Sequence, residues 1–173
     1  FDGQDHEIRD LFIDRPDEER VGLFSQITSW GAIRNVRVVN ATVIGGDIVG
    51  GLVGMMWLAA SEVAGLSNCE FSGNVTGNDL VGGLVGDNAL GTVSGCHATG
   101  SVTGNNWVGG LVGQNRDLGT TVSNSCATGN VTGSDLVGGL VGGNWGNVSN
   151  SCATGNVTGN EWVGGLVGQN SRA

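Results

Sequence analysis

Gly109-Gly110-Leu111-Val112-Gly113 decides the fold, because the same five residues stand again at 50–54, 82–86, 138–142 and 164–168. The leucines Leu52, Leu84, Leu111, Leu140 and Leu166 are 32, 27, 29 and 26 residues apart, and Val21-Gly22-Leu23-Phe24 is a degenerate sixth copy 29 residues before the first. A recurrence of this size marks a repeat architecture, in which a unit buries its apolar face only by stacking on its neighbours. A second phrase keeps register between the anchors: Val93 to Gly104 is echoed from Val122 to Gly133 and from Val148 to Gly159, and more weakly from Leu66 to Gly77. Each period thus holds three or four short apolar or β-branched runs punctuated by Gly and Asn, with no 3.6-residue stripe, which is the pattern of strands and turns. The chain reads as all-β: a parallel β-solenoid, or β-helix, of about six coils of roughly 27 residues, right-handed by the usual crossover rule. At the strand spacing of about 4.8 Å its core is a rod roughly 29 Å long. The glycines are assigned to tight corners, where positive φ or close backbone approach excludes a Cβ.

Composition agrees and excludes several classes. Thirty-four glycines in 173 residues, one proline and 13% charged residues are not ordinary globular usage. There is no strict every-third-residue glycine, so collagen is excluded, and valine and leucine throughout give an apolar core to bury. The formal charge is −9 with seven arginines and no lysine, too few cations for the basic face that nucleic-acid phosphates require. No apolar run reaches the length of a membrane span, so no membrane insertion is expected in this segment. Eight of the sixteen acidic residues lie between Asp2 and Glu19. Residues 1–30 therefore read as an acidic lead-in or first coil and residues 31–173 as the repeat array, with an apolar insert at 55–64 taking up the longest anchor spacing.

The anchors VGGLVG at 49–54, 81–86, 108–113, 137–142 and 163–168, with ATGNVTG at 127–133 and 153–159, resemble the GLUG motif family over nearly the whole chain. The opening residues 1–24 also look like the lead-in that precedes such arrays. The resemblance implies a tandem-repeat region of a large secreted or surface-attached microbial protein. Relatives of that kind are similar to adhesins, surface stalks and the non-catalytic portions of secreted enzymes such as immunoglobulin A peptidases. It supplies no catalytic motif, and His-Glu-x-x-His does not occur in this sequence.

In a solenoid, chemistry is read column by column. Asp47, Asp79, Asn106, Asp135 and Glu161 precede the anchors as one acidic column, a place for calcium only if oxygen ligands converge there; the dense nonapeptide of calcium-binding β-rolls is absent. Counted back from the following glycine, Cys69 and Cys96 fall in one column, with Ser125 and Ser151, and are expected to face inward. Cys126 and Cys152 fall in the neighbouring column with Glu70, His97 and Arg37, so they are expected to be exposed thiols or a disulfide, within the column or between molecules. No CxxC or HxxxH spacing supports zinc, and His6 and His97 stand too far apart in the repeat order to complete a nucleophile–base pair. Asp2, Asp5, Asp14 and Asp17 are the one imaginable carboxylate pair set for glycoside cleavage, and the later coils add too little charge to build its groove. No catalytic, cofactor or metal residue is therefore assigned. Trp57, in the apolar run Met55-Met56-Trp57-Leu58, is the candidate contact site, the competing reading being that it plugs the side of the core.

The functional expectation is a non-catalytic structural or adhesive module, extracellular and either secreted or on the cell surface, within a larger parent polypeptide. Its partner would be a host or cell-surface component, or itself. The alternatives are a self-assembling fibre subunit whose coil edges stack end to end, and, less favoured, a carbohydrate-active β-helix enzyme.

Overall fold

The computed structural model describes residues 1–28, 31–57 and 65–171, and among them it contains strands and turns but no helix. Every strand pairing is parallel, and the chain winds through four sheets in the same order on each turn. One turn runs from Thr92–Ser94 to His97–Thr99 and Val102–Thr103, then Asn106–Gly109, then Val112–Asn115, before the next begins at Thr121–Ser123. The chain is thus an all-β parallel β-solenoid. Two sheets contain five strands and one contains six, so there are about five complete turns. The degenerate copy at 21–24 is stacked on them as well: Val21 bridges Val49, and Phe24–Thr28 pairs with Val53–Trp57.

The N-terminal segment is stacked on the array. Glu7–Arg9 and Phe12–Arg15 both pair with the long strand Arg37–Gly45, and Val21 bridges Val49. Asp2 fastens this turn, accepting hydrogen bonds from Asn35 Nδ2, the Gln4 amide and Arg34 Nε. Those donors, Asn35 first among them, hold its carboxyl at about pKa 2.

The anchor leucines form the axis of the core. Leu52, Leu84, Leu111 and Leu140 are fully buried, flanked by the Val81, Val108, Val137 and the Leu66, Val93, Val122 columns. Each leucine amide donates to the leucine carbonyl one coil on: Leu52 to Leu84 at 3.0 Å, Leu84 to Leu111 at 2.9 Å and Leu111 to Leu140 at 2.9 Å. Alongside runs a buried asparagine ladder, in which Asn88 Nδ2 donates to Asn115 Oδ1 at 2.8 Å and Asn115 Nδ2 to Asn144 Oδ1 at 2.7 Å. Buried amides demand partners, and a column of identical amides satisfies itself.

The corners use conformation differently from expectation. The anchor glycines are required by close approach, not by positive φ: a Cβ on Gly109 would overlap the Val112 carbonyl, and one on Gly110 the Gly139 carbonyl of the next coil. The left-handed positions belong instead to Ile48, Leu80, Trp107, Leu136 and Trp162, with φ between 51° and 59°, just before the anchors. A second left-handed column contains Asn35, Asn68, Gly95, Asn124 and Asn150, where asparagine is the residue that tolerates αL. The insert is also corrected. Met55, Met56 and Trp57 belong to the strand Val53–Trp57, in register with Val85–Ala89, so the apolar run to residue 57 is a regular part of the wall. Residues 58–64 lie outside the described residues.

These contacts separate two glycines of the same region. Gly109→Ala is expected to lower stability in urea unfolding by more than about 3 kcal/mol, because backbone must move to admit the methyl group. Gly119→Ala, whose Cβ would meet only Leu90 Cδ2 at 3.6 Å, should change it by less than about 0.5 kcal/mol.

Candidate functional site

The outer face of the ten-stranded sheet carries an ordered column of reactive and charged residues. Register places Glu7, Arg37, Glu70, His97, Cys126 and Cys152 in succession, one per coil. Signs alternate at its start: Arg37 bridges Glu7 at 2.8 Å and Glu70 at 3.0 Å, and Arg9 also pairs with Glu7. These pairs are half exposed, and such contacts are individually weak; here they spare the first coils like-charge repulsion between stacked neighbours.

The column ends in a bond between Cys126 and Cys152, whose Cα atoms lie 4.6 Å apart on adjacent coils. Cys152 is exposed and Cys126 half-buried. Cys69 and Cys96 occupy the adjacent inward column and are free and fully buried. The neighbouring Cys69 sulfur, and after it burial, push the Cys96 thiol far up, away from thiolate reactivity. Below them Ser125 takes the same column, its hydroxyl accepting from the Cys96 amide at 3.0 Å.

The acidic column before the anchors is a hydrogen-bonded corner. Asp79 Oδ1 accepts from both the amide and Nδ2 of Asn106, at 3.1 and 2.9 Å. Among the described residues no three His, Cys, Asp or Glu side chains converge as a metal site would need.

Trp57 sits at the edge of a different wall. Thr28, Trp57 and Ala89 share a column at the outer end of their strands, and the Trp57 side is 54% exposed while Met56 beside it is fully buried. Arg116 folds back from two coils on to lie over the indole, its Cζ 5.5 Å from the ring centre, and donates to Asp87 Oδ2, on the coil between, at 2.6 Å. Trp57, Ala89, Leu90, Arg116 and Asp117 line a cleft of about 320 Å³. Asp87 lies beneath it, 1% exposed. Burial is the main cause that raises its pKa to about 6; Arg116 opposes the rise and Asp117 adds to it. Asp87 Oδ1 and Arg116 Nε are both buried without a hydrogen-bond partner among the described residues.

The structure therefore separates the two sequence-derived candidates: the cysteines lie on the ten-stranded sheet and Trp57 on the six-stranded one. Asp87, Leu90 and Arg116 were not singled out by the sequence. Two signals were available: Arg116 is the only Lys or Arg between Arg37 and Arg172, and Asp87 stands where the other copies have Met55, Gln114, Gly143 and Gln169.

Comparison with known proteins agrees with the architecture. The GLUG motif model matches residues 77–103 and 133–158. Over 93 residues the chain is 40% identical to Halomucin of Haloquadratum walsbyi, a match covering 54% of this chain and 1% of Halomucin. A crystal structure from Bacteroides ovatus, of a protein provisionally described as an immunoglobulin A1 protease, superposes with a TM-score of 0.75 at 25% identity, covering 96% of this chain and 55% of that one. The chain thus spans about half of that solved structure and about one-hundredth of Halomucin.

Thiol titration reads out the cysteine columns: native protein should expose no reactive thiol, unfolding without reductant should release two, and unfolding with reductant four. The buried carboxylate predicts a pH dependence. With its folded pKa near 6 and its unfolded value near 3.8, folded Asp87 binds more protons than unfolded Asp87 between those values. Its contribution is full below about pH 4 and is lost as pH rises through 6. Relative to Asp87→Asn, wild type should lose up to about 3 kcal/mol of stability between pH 4 and pH 8 in urea titrations.

Proposed function

Starting from a solenoid built on GLUG motifs, we propose that this chain is a non-catalytic structural and adhesive module of a secreted or cell-surface protein. The observation that carries this reading is the uninterrupted stacking of one apolar axis and one asparagine ladder from coil to coil. A rod of this kind sets a distance and presents side chains in rows, and it needs no moving part. Halomucin, in which the matching stretch is about one-hundredth of the length, supports a module that is one piece of a long extracellular polypeptide. Its partner is a component of a cell surface or another copy of such a module.

The Bacteroides ovatus likeness favours a second reading, a part of a secreted protease. Against catalysis by this segment stands the dispersal of its reactive groups. The free thiols are buried in one column, the other two cysteines are bonded, and His97 and His6 lie on separate turns.

Pulling single molecules by their ends, together with incubation with immunoglobulin A1, tests the proposal. Under reducing conditions coils should unwind in steps of about 9 nm, the contour of roughly 27 extended residues, and the antibody should remain intact. Stoichiometric chain that cuts the antibody would overturn the non-catalytic reading; extension with no coil-sized steps would overturn the load-bearing rod.

A further inference from the structure

We propose that the cleft bounded by Trp57, Leu90, Arg116 and Asp117 is a binding subsite for one uncharged pyranose unit of a glycan. The proposal rests on the adhesive reading above and gives it a ligand class and an address.

Four observations converge on the ligand. The first is size: about 320 Å³ is at the small end of ligand sites and suits a monosaccharide unit better than a larger group. The second is the indole. Trp57 is 54% exposed and is held by Arg116 rather than sunk in the core. The part of the indole that Arg116 leaves exposed, with its polar rim, matches a sugar ring, which offers polarised C–H groups on one face and hydroxyls at its edge. Leu90 extends the apolar floor.

The third observation is the polar rim. Arg116 offers donors only and Asp117 acceptors only, and both line the cleft. A vicinal diol is donor and acceptor at once, so it pairs with a guanidinium and a carboxylate together. Buried polar atoms are ordinarily satisfied, yet Arg116 Nε and Asp87 Oδ1 have no partner among the described residues. Of the two residues Arg116 lines the cleft, and a hydroxyl or a bridging water is the partner its guanidinium lacks there; an apolar side chain from another protein would leave it unpaired.

The fourth is charge. Asp87 and Asp117 outnumber Arg116 at the cleft, and the chain has a formal charge of −9. A uronic or sialic acid is therefore repelled, and a neutral pyranose is the match. The site is also pre-formed: Trp57 ends a paired strand, and Arg116 is pinned by Asp87 and by its own amide bonded to the Asn88 carbonyl at 2.9 Å. Little conformational freedom remains to be lost on binding.

The test uses the whole chain, following the Trp57 indole N–H by NMR during titration with methyl glycosides of glucose, galactose, mannose and N-acetylglucosamine, and with glucuronic and sialic acids. At least one neutral glycoside should shift that signal saturably, with a dissociation constant on the order of millimolar. Trp57→Ala, read by saturation transfer to the sugar, should weaken it at least about tenfold, and Asp117→Asn should weaken it without disturbing the rest of the amide spectrum. The subsite is overturned if no neutral glycoside moves the indole signal, if Trp57→Ala binds as wild type, or if an acidic sugar binds more tightly. The two readings fail separately. Retention on a glycan-coated surface that survives Trp57→Ala sinks the subsite and leaves adhesion standing. Release of methanol from a glycoside sinks the non-catalytic reading itself.

Discussion

Close approach of backbone at the Gly-Gly-Leu corner is the constraint on which the rest of this structure depends. The carbonyl of one coil occupies the space where a Cβ of the previous coil would stand, at Gly51, Gly83, Gly110 and Gly139 alike. This lets each leucine amide reach the leucine carbonyl of the next coil and draws the leucine side chains onto one axis. Once those corners are superposed, register is fixed everywhere else, since a slip of one residue would turn every apolar side chain outward. The columns of asparagine, cysteine and alternating charge are consequences of that superposition.

The same constraint explains where the sequence could be read and where it could not. The five-residue anchors are local and nearly identical, so fold class and period were legible. The cysteine columns were legible too, because a one-residue offset relative to glycine separates Cys69 and Cys96 from Cys126 and Cys152, and strand alternation turns that offset into opposite faces. Left-handed Ile48, Leu80 and Trp107 could not be foreseen, because bulky residues are disfavoured there by about 1–2 kcal/mol and only the stacked context imposes it. Met55 to Trp57 looked like an insert because they lack the polar residues of later copies, although Met56 takes the column that Asn88 and Asn115 fill afterwards. The asparagine ladder was written in the sequence as Asn two residues after the last anchor glycine in four of five copies, and its meaning appears only when the coils are stacked.

The cleft at Trp57 was legible only by half. A tryptophan in an apolar run drew attention to the position, but Arg116 arrives from two coils on and Asp87 from the one between. Long-range placement of this kind comes from stacking, not from local pattern. A rigid scaffold with departures from its own repeat at a single edge is a suitable arrangement for a binding module: the copies supply stiffness, and the irregular residues supply specificity.

The most direct measurement is of scalar coupling across the inter-coil hydrogen bonds, which NMR detects between an amide nitrogen and the carbonyl carbon it bonds. Stacked anchor corners require the Leu84 amide to couple to the Leu111 carbonyl, and the Leu111 amide to the Leu140 carbonyl. Couplings from these amides to any other carbonyl, or an antiparallel pattern of pairs, would contradict the account at its foundation.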